Sequence, residues 1–477
     1  MHAKAVLREV RTLKNSLRPV NRLPPEILTS CAISDADPRT IVSLTHVCRY
    51  WREVIRSNPS NWKLIGTRWK RLAPLCLKLS KAVPLVVDVA VKDSDGDEAF
   101  FKALLPNIPR IKSLRLTECT SVEGIAHDLP GFFDSPILDL VTLELHQSTT
   151  PAQPFPSNEA PLPPILRHVQ NLKSLRLTQI PIYPTLFNIP SLVELKLAGY
   201  TTPFDFGAFV GFLESNLALI SVDLEIRFTE GSVWEVPARR VSLSCLRRLT
   251  ITCSEAIDSK GLLSCITLPH GIRLEVVLTK LGSCPPFPSL LPSSLNAIRK
   301  ILHPISIVKT RYESPTLHIS NGKSLLSLKA TGYHSTFYSG LSLFSTSAVR
   351  EFHVSIYPHS PTGNKLSWAL ERLPALEVLA IFEATFPLGA FCMLAKEPVL
   401  CPSLRTIAFF DCGMSEDVVK ELGDVITTRR DSFATQLYRV VIVNNITAPP
   451  SIKAIQQLRR SVPYVEARVD DKLPDLS

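Results

Sequence analysis

LVELKL, residues 192–197, is one copy of a short line that returns along most of this chain of 477 residues. The line places apolar residues at its first, fourth and sixth positions, and mostly polar residues between them. Apolar residues at alternate positions predict a strand that buries one face. Other copies are IKSLRL at 111–116, LVTLEL at 140–145, LKSLRL at 172–177, LISVDL at 219–224, LRRLTI at 246–251, LLSLKA at 325–330, VREFHV at 349–354, LEVLAI at 376–381, LRTIAF at 404–409 and YRVVIV at 438–443. A weaker copy is RLEVVL at 273–278.

The copies return at intervals that are typical of a stacked repeat. Many starts lie 27 residues apart, as from 192 to 219 and from 219 to 246, and other intervals run from 20 to 34. A repeat of this length cannot bury its apolar face alone, so neighbours stack into a continuous core. The 52 residues from 273 to 325 leave room for one degenerate copy near 305–308, after a proline-rich insertion loop at 281–300.

The repeated line resembles leucine-rich repeats, because a cysteine or small apolar residue often follows the LxxLxL core. The clearest copies have Ile111, Leu114, Leu116 and Cys119, or Leu404, Ile407, Phe409 and Cys412. The resemblance implies an α/β fold, an irregular leucine-rich-repeat solenoid with a curved parallel sheet on its concave side. An unrelated α/β fold is the alternative.

The front of the chain carries a different unit, which begins with LPPEIL at 23–28. Proline suits the first turn of a helix, and Glu26 there favours the helix dipole. Asp37 followed by Pro38 predicts the N-cap of a second helix. From there a strongly amphipathic helix, or two abutting ones, is predicted by apolar residues at Ile41, Leu44, Cys48, Trp51 and Ile55.

LPPEIL at 23–28, DP at 37–38, VCRYWR at 47–52 and PSNW at 59–62 together resemble an F-box, over roughly residues 20–65. The resemblance implies an all-helical domain that binds the Skp-family adaptor of an SCF ubiquitin ligase, and through it the cullin and RING subunits. The residues expected to contact the adaptor or to support that contact are Leu23, Pro24, Pro25, Ile27, Leu28, Ile41, Leu44, Val47 and Trp51.

One departure from the F-box pattern follows LPPEIL. The family usually has another pair of large apolar residues there, whereas this chain reads TSCAI at 29–33. We therefore expect either a shortened first helix or a weaker grip on the adaptor.

All of the surplus positive charge lies at the front. Residues 1–80 carry 15 basic and 5 acidic side chains, whereas the remainder carries 38 of each. This asymmetry predicts an acidic protein partner for the front, or a basic leader, rather than nucleic acid along the main surface. Within residues 1–20 an amphipathic helix that packs on the next segment is predicted by Val6, Val10, Leu13, Leu17 and Val20. A mitochondrial transit peptide is the alternative.

These patterns divide the chain into five segments. They are an amphipathic leader helix at 1–20, the F-box at 21–66, a linker leading into the array at 67–109, the solenoid at 110–460 and a C-terminal tail at 461–477.

The outward-facing positions of the predicted strands change character along the array, from polar in the early copies to apolar in the late ones. Contiguous exposed apolar surface marks binding sites, so the late strands are predicted to bind a target protein. The alternative is that a loop or the tail covers this patch. The residues proposed for binding are Val378, Phe382, Phe410, Val440 and Ile442.

The sequence lacks the usual signatures of catalysis. It has no GxSxG, HExxH, P-loop or GxGxxG motif, and no cysteine–histidine set with zinc-finger spacing. We therefore predict no catalytic residue, no metal and no cofactor. The 11 scattered cysteines indicate a reducing compartment, cytoplasmic or nuclear, and no segment predicts a membrane span.

The combined prediction is a non-catalytic substrate-recognition subunit of an SCF-type ligase, with an unknown protein as its target. The alternatives are a repeat scaffold outside any ligase, and an enzyme whose residues match no known pattern. Neither nucleic acid nor a membrane is expected as a partner.

Overall fold

The chain forms two compact units, Met1–Leu219 and Ile220–Ser477, in a computed structural model. Both units combine parallel strands with helices, so the predicted α/β class is confirmed. The structure describes residues 6–7, 9–10, 13–15, 17–33, 37–90, 98–119, 139–147, 169, 171–179, 189–200, 206–226, 240–253, 256–278, 307–311, 316–321, 325–330, 346–355, 362–382, 391–395, 400–433, 437–443 and 452–468.

The first unit begins with helices and continues as a sheet. Its helices are α1 (Pro25–Ile33), α2 (Pro38–Leu44), α3 (Arg49–Ser57), α4 (Ala73–Leu79), α5 (Glu98–Leu104) and α6 (Phe206–Ser215), with 3-10 helices at Pro19–Arg22, Pro59–Trp62, Thr67–Leu72 and Leu105–Arg110. Its strands are β1 (Leu64–Gly66), β2 (Leu85–Ala90), β3 (Ile111–Cys119), β4 (Thr142–Gln147), β5 (Ser174–Thr178) and β6 (Glu194–Tyr200).

Strands β1 to β6 pair in chain order, and every pairing is parallel. The register explains the repeated line, because its fourth and sixth positions lie side by side on one buried face. Neighbouring strands align Leu114, Leu143, Leu175 and Leu195 in one row, and Leu116, Leu145, Leu177 and Leu197 in the next. Stacking is what removes these leucines from water, which is the dominant favourable term in folding.

The sheet starts earlier than the sequence predicts, inside the segment assigned to the F-box. Strand β1 pairs with β2, which lies in the predicted linker at 67–109. The two strands approach closely at Gly66, where an added Cβ would lie 2.9 Å from the carbonyl oxygen of Asp88. Nearby, the backbone N–H of Ala90 donates to Oγ1 of Thr67 at 2.8 Å. The helical front and the sheet are therefore joined by paired strands rather than by a free linker.

The second unit carries the later repeats. Its helices are α7 (Ala256–Cys265), α8 (Thr362–Glu371), α9 (Glu416–Phe433) and α10 (Ile452–Ser461), with a 3-10 helix at Cys392–Ala395. Its strands are β7 (Ser221–Ile226), β8 (Val241–Ser242), β9 (Arg248–Cys253), β10 (Ile266–Thr267), β11 (Arg273–Leu278), β12 (Ile307–Arg311), β13 (Thr316–Ser320), β14 (Leu325–Ala330), β15 (Glu351–Ser355), β16 (Val378–Phe382), β17 (Thr406–Phe410), β18 (Arg439–Val443) and β19 (Tyr464–Arg468).

The parallel order of the predicted sheet is interrupted at β12 to β14. Strand β13 is antiparallel to both β12 and β14. Four residues join β12 to β13, and four join β13 to β14. A parallel crossover needs about a dozen residues, so connections this short can only form antiparallel pairs. Strand β12 overlaps the degenerate copy expected near 305–308, but the strand that follows it, β13, runs in the opposite direction.

Parallel pairing resumes from β15 and runs without a break to β19. The sheet therefore extends past residue 460, where the sequence analysis begins the tail, while residues 469–477 lie outside the described residues. Cys253 at the end of β9 and Cys412 two residues past the end of β17 are both buried, as small apolar residues would be.

A buried arginine on α9 holds the turn that precedes β17. The Arg429 guanidinium donates to the carbonyl oxygens of Leu394 at 3.1 Å, Leu400 at 2.7 Å and Cys401. Burial lowers the pKa of Arg429, and burial raises the pKa of the neighbouring Cys401 thiol to about 12. The buried arginine thus finds carbonyl acceptors for its guanidinium, as buried polar groups generally do.

Within the described part of the chain, no helix has both the length and the apolarity that a bilayer crossing requires.

Candidate functional site

Asn21 ties the front of the chain to helix α3. Its Oδ1 accepts a hydrogen bond from Nε1 of Trp51 at 2.7 Å, and its Nδ2 donates to the carbonyl oxygen of Asn15 at 2.7 Å. One residue earlier on α3, the Tyr50 hydroxyl donates to the carbonyl oxygen of Leu23 at 2.8 Å. These bonds hold Asn21 and the backbone of Leu23 against the first turn of α3, just before α1 begins.

The other end of α3 is fixed by the predicted PSNW segment. Both Nδ2 of Asn61 and Nε1 of Trp62 donate to the carbonyl oxygen of Ile55, at 3.0 and 3.1 Å. All three residues are buried. A carbonyl at the end of a helix has no partner within the helix, so these two donors satisfy it and cap α3.

The cap of α2 is the one that the sequence predicts. Asp37 is the N-cap, Pro38 is the first helical residue, and the Asp37 carboxylate accepts from the backbone N–H of Thr40 at 2.9 Å. That hydrogen bond lowers the pKa of the Asp37 carboxyl below its ordinary value. The ionised carboxylate therefore also favours the positive end of the helix.

Helix α1 runs for nine residues to Ile33, so the departure at 29–33 does not shorten it to the LPPEIL motif. The side chains of residues 31–33 lie outside the described residues.

This helical frame matches a known domain. Residues 20–73 match the F-box-like family model. The chain carries an F-box-like domain at its front, as the four motifs predict.

The structure of a leucine-rich-repeat protein from Leptospira interrogans is similar over 77% of this chain and 98% of that chain, with 14% sequence identity and a TM-score of 0.27. No curated protein matches this chain. The leucine-rich-repeat assignment rests on the parallel strands and their aligned leucines.

The predicted adaptor residues of the F-box-like domain divide into an exposed set and a supporting set. Leu28, Ile41 and Trp51 are buried within the domain, and Leu44 is half-buried. These four support the helices. The exposed set consists of Leu23, Pro24, Pro25, Ile27 and Val47.

The exposed set belongs to a larger accumulation of apolar surface. Among the described residues, 14 large apolar side chains are exposed, and nine of them lie between residues 6 and 47. Leu23 is 37% exposed, Ile27 46% and Val47 55%. Among the described residues, the front thus holds most of the exposed large apolar side chains, and exposed apolar surface is typical of binding sites.

The leader contributes to this surface instead of covering it. Val6, Val10 and Leu17 are exposed by 47%, 56% and 64%. The prediction that the leader packs its apolar face on the following segment is therefore wrong.

The predicted target-binding residues in the late strands do not form one open face. Strand pairing places Val440 opposite Ile407 and Ile442 opposite Phe409, on the core side of the sheet. The repeated line begins at Leu437, one residue earlier than the YRVVIV frame places it, and a shift of one residue moves every side chain to the other face. Val441 and Val443 take the outward positions that the sequence analysis gave to Val440 and Ile442.

The outward apolar residues that do share a face are largely buried. Phe410 is only 4% exposed, and its ring stacks on that of Phe382 with centroids 4.8 Å apart. Val378 and Phe382 are half-buried. We call the set Ala380, Phe382, Ala408, Phe410, Val441 and Val443 the late apolar cluster. Its burial corrects the expectation of an exposed patch.

The early strands keep their outward face open. Glu144 lies between two arginines on neighbouring strands, 3.5 Å from Nε of Arg115 and 3.4 Å from Nη1 of Arg176. The arginine side chains are 54% and 51% exposed. The outward face that is available to a partner is thus the polar one.

Among the described residues, no three His, Cys, Asp or Glu side chains are grouped so that they could hold a metal ion.

Replacing Asn21 with alanine is expected to lower the free energy of unfolding by about 1–3 kcal/mol, because the buried Trp51 N–H loses its acceptor. Asn21→Asp keeps an acceptor at Oδ1 and serves as the control, with a smaller loss. Thermal and urea unfolding of the full chain measure both. Equal stability of Asn21→Ala and the unchanged chain would show that Asn21 does not hold α3.

Sequence reasoning missed three residues of these surfaces, namely Asn21, Tyr50 and Val441. A polar residue just before LPPEIL suggests a cap, but nothing in the sequence pairs Asn21 with a tryptophan 30 positions away. For Val441 a signal was present, since Leu437 stands three residues before Val440 as the line requires.

Proposed function

We propose that this chain is the substrate-recognition subunit of an SCF-type ubiquitin ligase. Its F-box-like domain would dock on a Skp-family adaptor, which links it to the cullin and RING subunits, and its repeats would hold a target protein. An F-box-like domain joined to leucine-rich repeats is a protein-interaction architecture. Catalysis would belong to the partner subunits, in the cytoplasm or nucleus.

The observation that carries the proposal is the exposed set on a rigid frame. Leu23, Ile27 and Val47 stay in water although the domain has a core, and the backbone of Leu23 is fixed by the Tyr50 hydroxyl. A backbone that is already fixed loses little conformational freedom when a partner covers it.

The joint at β1 supports the same mechanism. Because β1 lies within the matched segment and pairs with β2, the F-box-like domain is continuous with the first strands of the array. A target bound on those strands would be held at a set distance from the adaptor, and proximity then raises its effective concentration at the ligase.

Reconstitution tests this function. The full chain and a purified Skp-family adaptor are expected to co-elute as a one-to-one complex that also binds the cullin subunit. Absence of a complex would overturn the ligase role and favour a repeat scaffold outside any ligase.

The open polar face of β3 to β5 is the proposed target surface. Exposed ion pairs contribute only about 0–1 kcal/mol, so Arg115 and Arg176 can exchange Glu144 for a carboxylate of a target at small cost. We expect the double variant Arg115→Glu, Arg176→Glu to lose target proteins captured by the intact chain while it keeps the adaptor. Quantitative mass spectrometry measures both, with the exposed Arg405→Glu as control. An unchanged target set would contradict this surface.

A further inference from the structure

We infer that the leader, taken here as residues 6–20, also contacts the Skp-family adaptor. This would be a second contact in addition to the one proposed for the F-box-like domain. The inference rests on the proposed function and names a part of the interface that F-box motifs do not include. The contact would be apolar along Val6, Val10, Leu17 and Val20, and it would face carboxylates of the adaptor.

The first support is where the leader is held. Asn21 bonds to the carbonyl oxygen of Asn15 with its Nδ2 and to Trp51 with its Oδ1, so the end of the leader is fixed beside α3. The backbone N–H of Asn21 also donates to the carbonyl oxygen of Arg18 at 3.0 Å. The exposed apolar residues thus follow one another from Leu17 through Val20 to Leu23 without a buried interruption.

The second support is the charge of the leader. Residues 1–20 carry Lys4, Arg8, Arg11, Lys14 and Arg18 against the single acid Glu9. A segment that combines apolar residues with this positive charge fits a partner whose apolar groove is bordered by carboxylates. A second copy of this chain fits poorly, because two such leaders would bring like charges together.

The composition of the leader separates a protein partner from a membrane. Helices that lie in a bilayer interface typically combine cations with tryptophan, phenylalanine and leucine among their apolar residues. The apolar residues at 6–20 are valine and leucine, with one proline and no aromatic residue. The absence of an aromatic anchor favours a preformed protein groove.

The test uses the full chain and two matched leader variants. Val10→Ser with Leu17→Ser removes two side chains at helical spacing, whereas Leu7→Ser removes one that is equally exposed but lies off the Val6–Val10–Leu17 face. We expect the double variant to bind the purified adaptor at least about tenfold more weakly, and Leu7→Ser to bind within about twofold of the unchanged chain. Titration calorimetry at two salt concentrations measures each affinity.

Charge reversal gives an independent readout. Lys14→Glu with Arg18→Glu changes two exposed cations, and exposed charges are screened by salt. This variant is expected to weaken adaptor binding at low salt and to flatten the salt dependence.

The outcomes are distinct from those of the proposed function. If the leader variants bind like the unchanged chain while Leu23→Ser with Ile27→Ser loses the adaptor, the leader inference is overturned and the proposed function stands. If the unchanged chain does not bind the adaptor, both fall. Leader-dependent flotation with phosphatidylserine vesicles, or leader-dependent dimerisation, without an effect on adaptor affinity would also overturn the inference.

Discussion

Leu23→Ser combined with Ile27→Ser is expected to weaken the complex with a Skp-family adaptor by about 100-fold, measured by titration calorimetry. Truncating an anchoring residue at the centre of an interface often costs about 2 kcal/mol or more, and about 2.7 kcal/mol corresponds to 100-fold in affinity. Both side chains are already exposed, so the variant should keep the thermal stability of the unchanged chain.

Two comparisons make that result specific. Leu217→Ser with Ile452→Ser removes a leucine and an isoleucine that are also exposed, but far along the chain from the F-box-like domain, and it should bind the adaptor normally. Leu28→Ala changes a buried residue on α1, the helix that also carries Ile27. It should instead lower the free energy of unfolding by about 2–5 kcal/mol. If the Leu23 and Ile27 variant kept full affinity, the exposed set would not be the docking surface.

Phe410→Ala is expected to lower the free energy of unfolding by about 3–5 kcal/mol, because it leaves a cavity in the late apolar cluster. The loss includes the stacking on Phe382, where the rings are 14° from parallel. Tyr438→Ala is the matched control. Tyr438 is an aromatic residue beside β18 that is 51% exposed, so its removal should cost much less.

Thermal unfolding followed by circular dichroism measures the difference, which should approach 10 °C for a domain of this size. If Phe410→Ala kept the stability of the unchanged chain but lost target proteins, the late apolar cluster would open to a partner, and the polar face of β3 to β5 would not be the main target surface.

Much of the candidate site could be predicted from local sequence. The Asp37–Pro38 cap, the PSNW segment and the amphipathic pattern through Trp51 depend on contacts within a few residues or turns, so a short window contains the information. Which of the nine predicted adaptor residues remain exposed could not be predicted, because Leu23 and Leu28 are chemically alike and differ only in what packs over them.

The sequence by itself determined the strands, through the repeated line. Apolar residues at alternate positions form a strand that buries one face when neighbouring copies can stack. Only the tertiary structure decided the reversal at β13 and the burial of Phe410. The direction of a strand depends on which neighbour it meets, and burial depends on what lies over a side chain. Both are properties of contacts between residues far apart in the chain, and a single strand does not contain them.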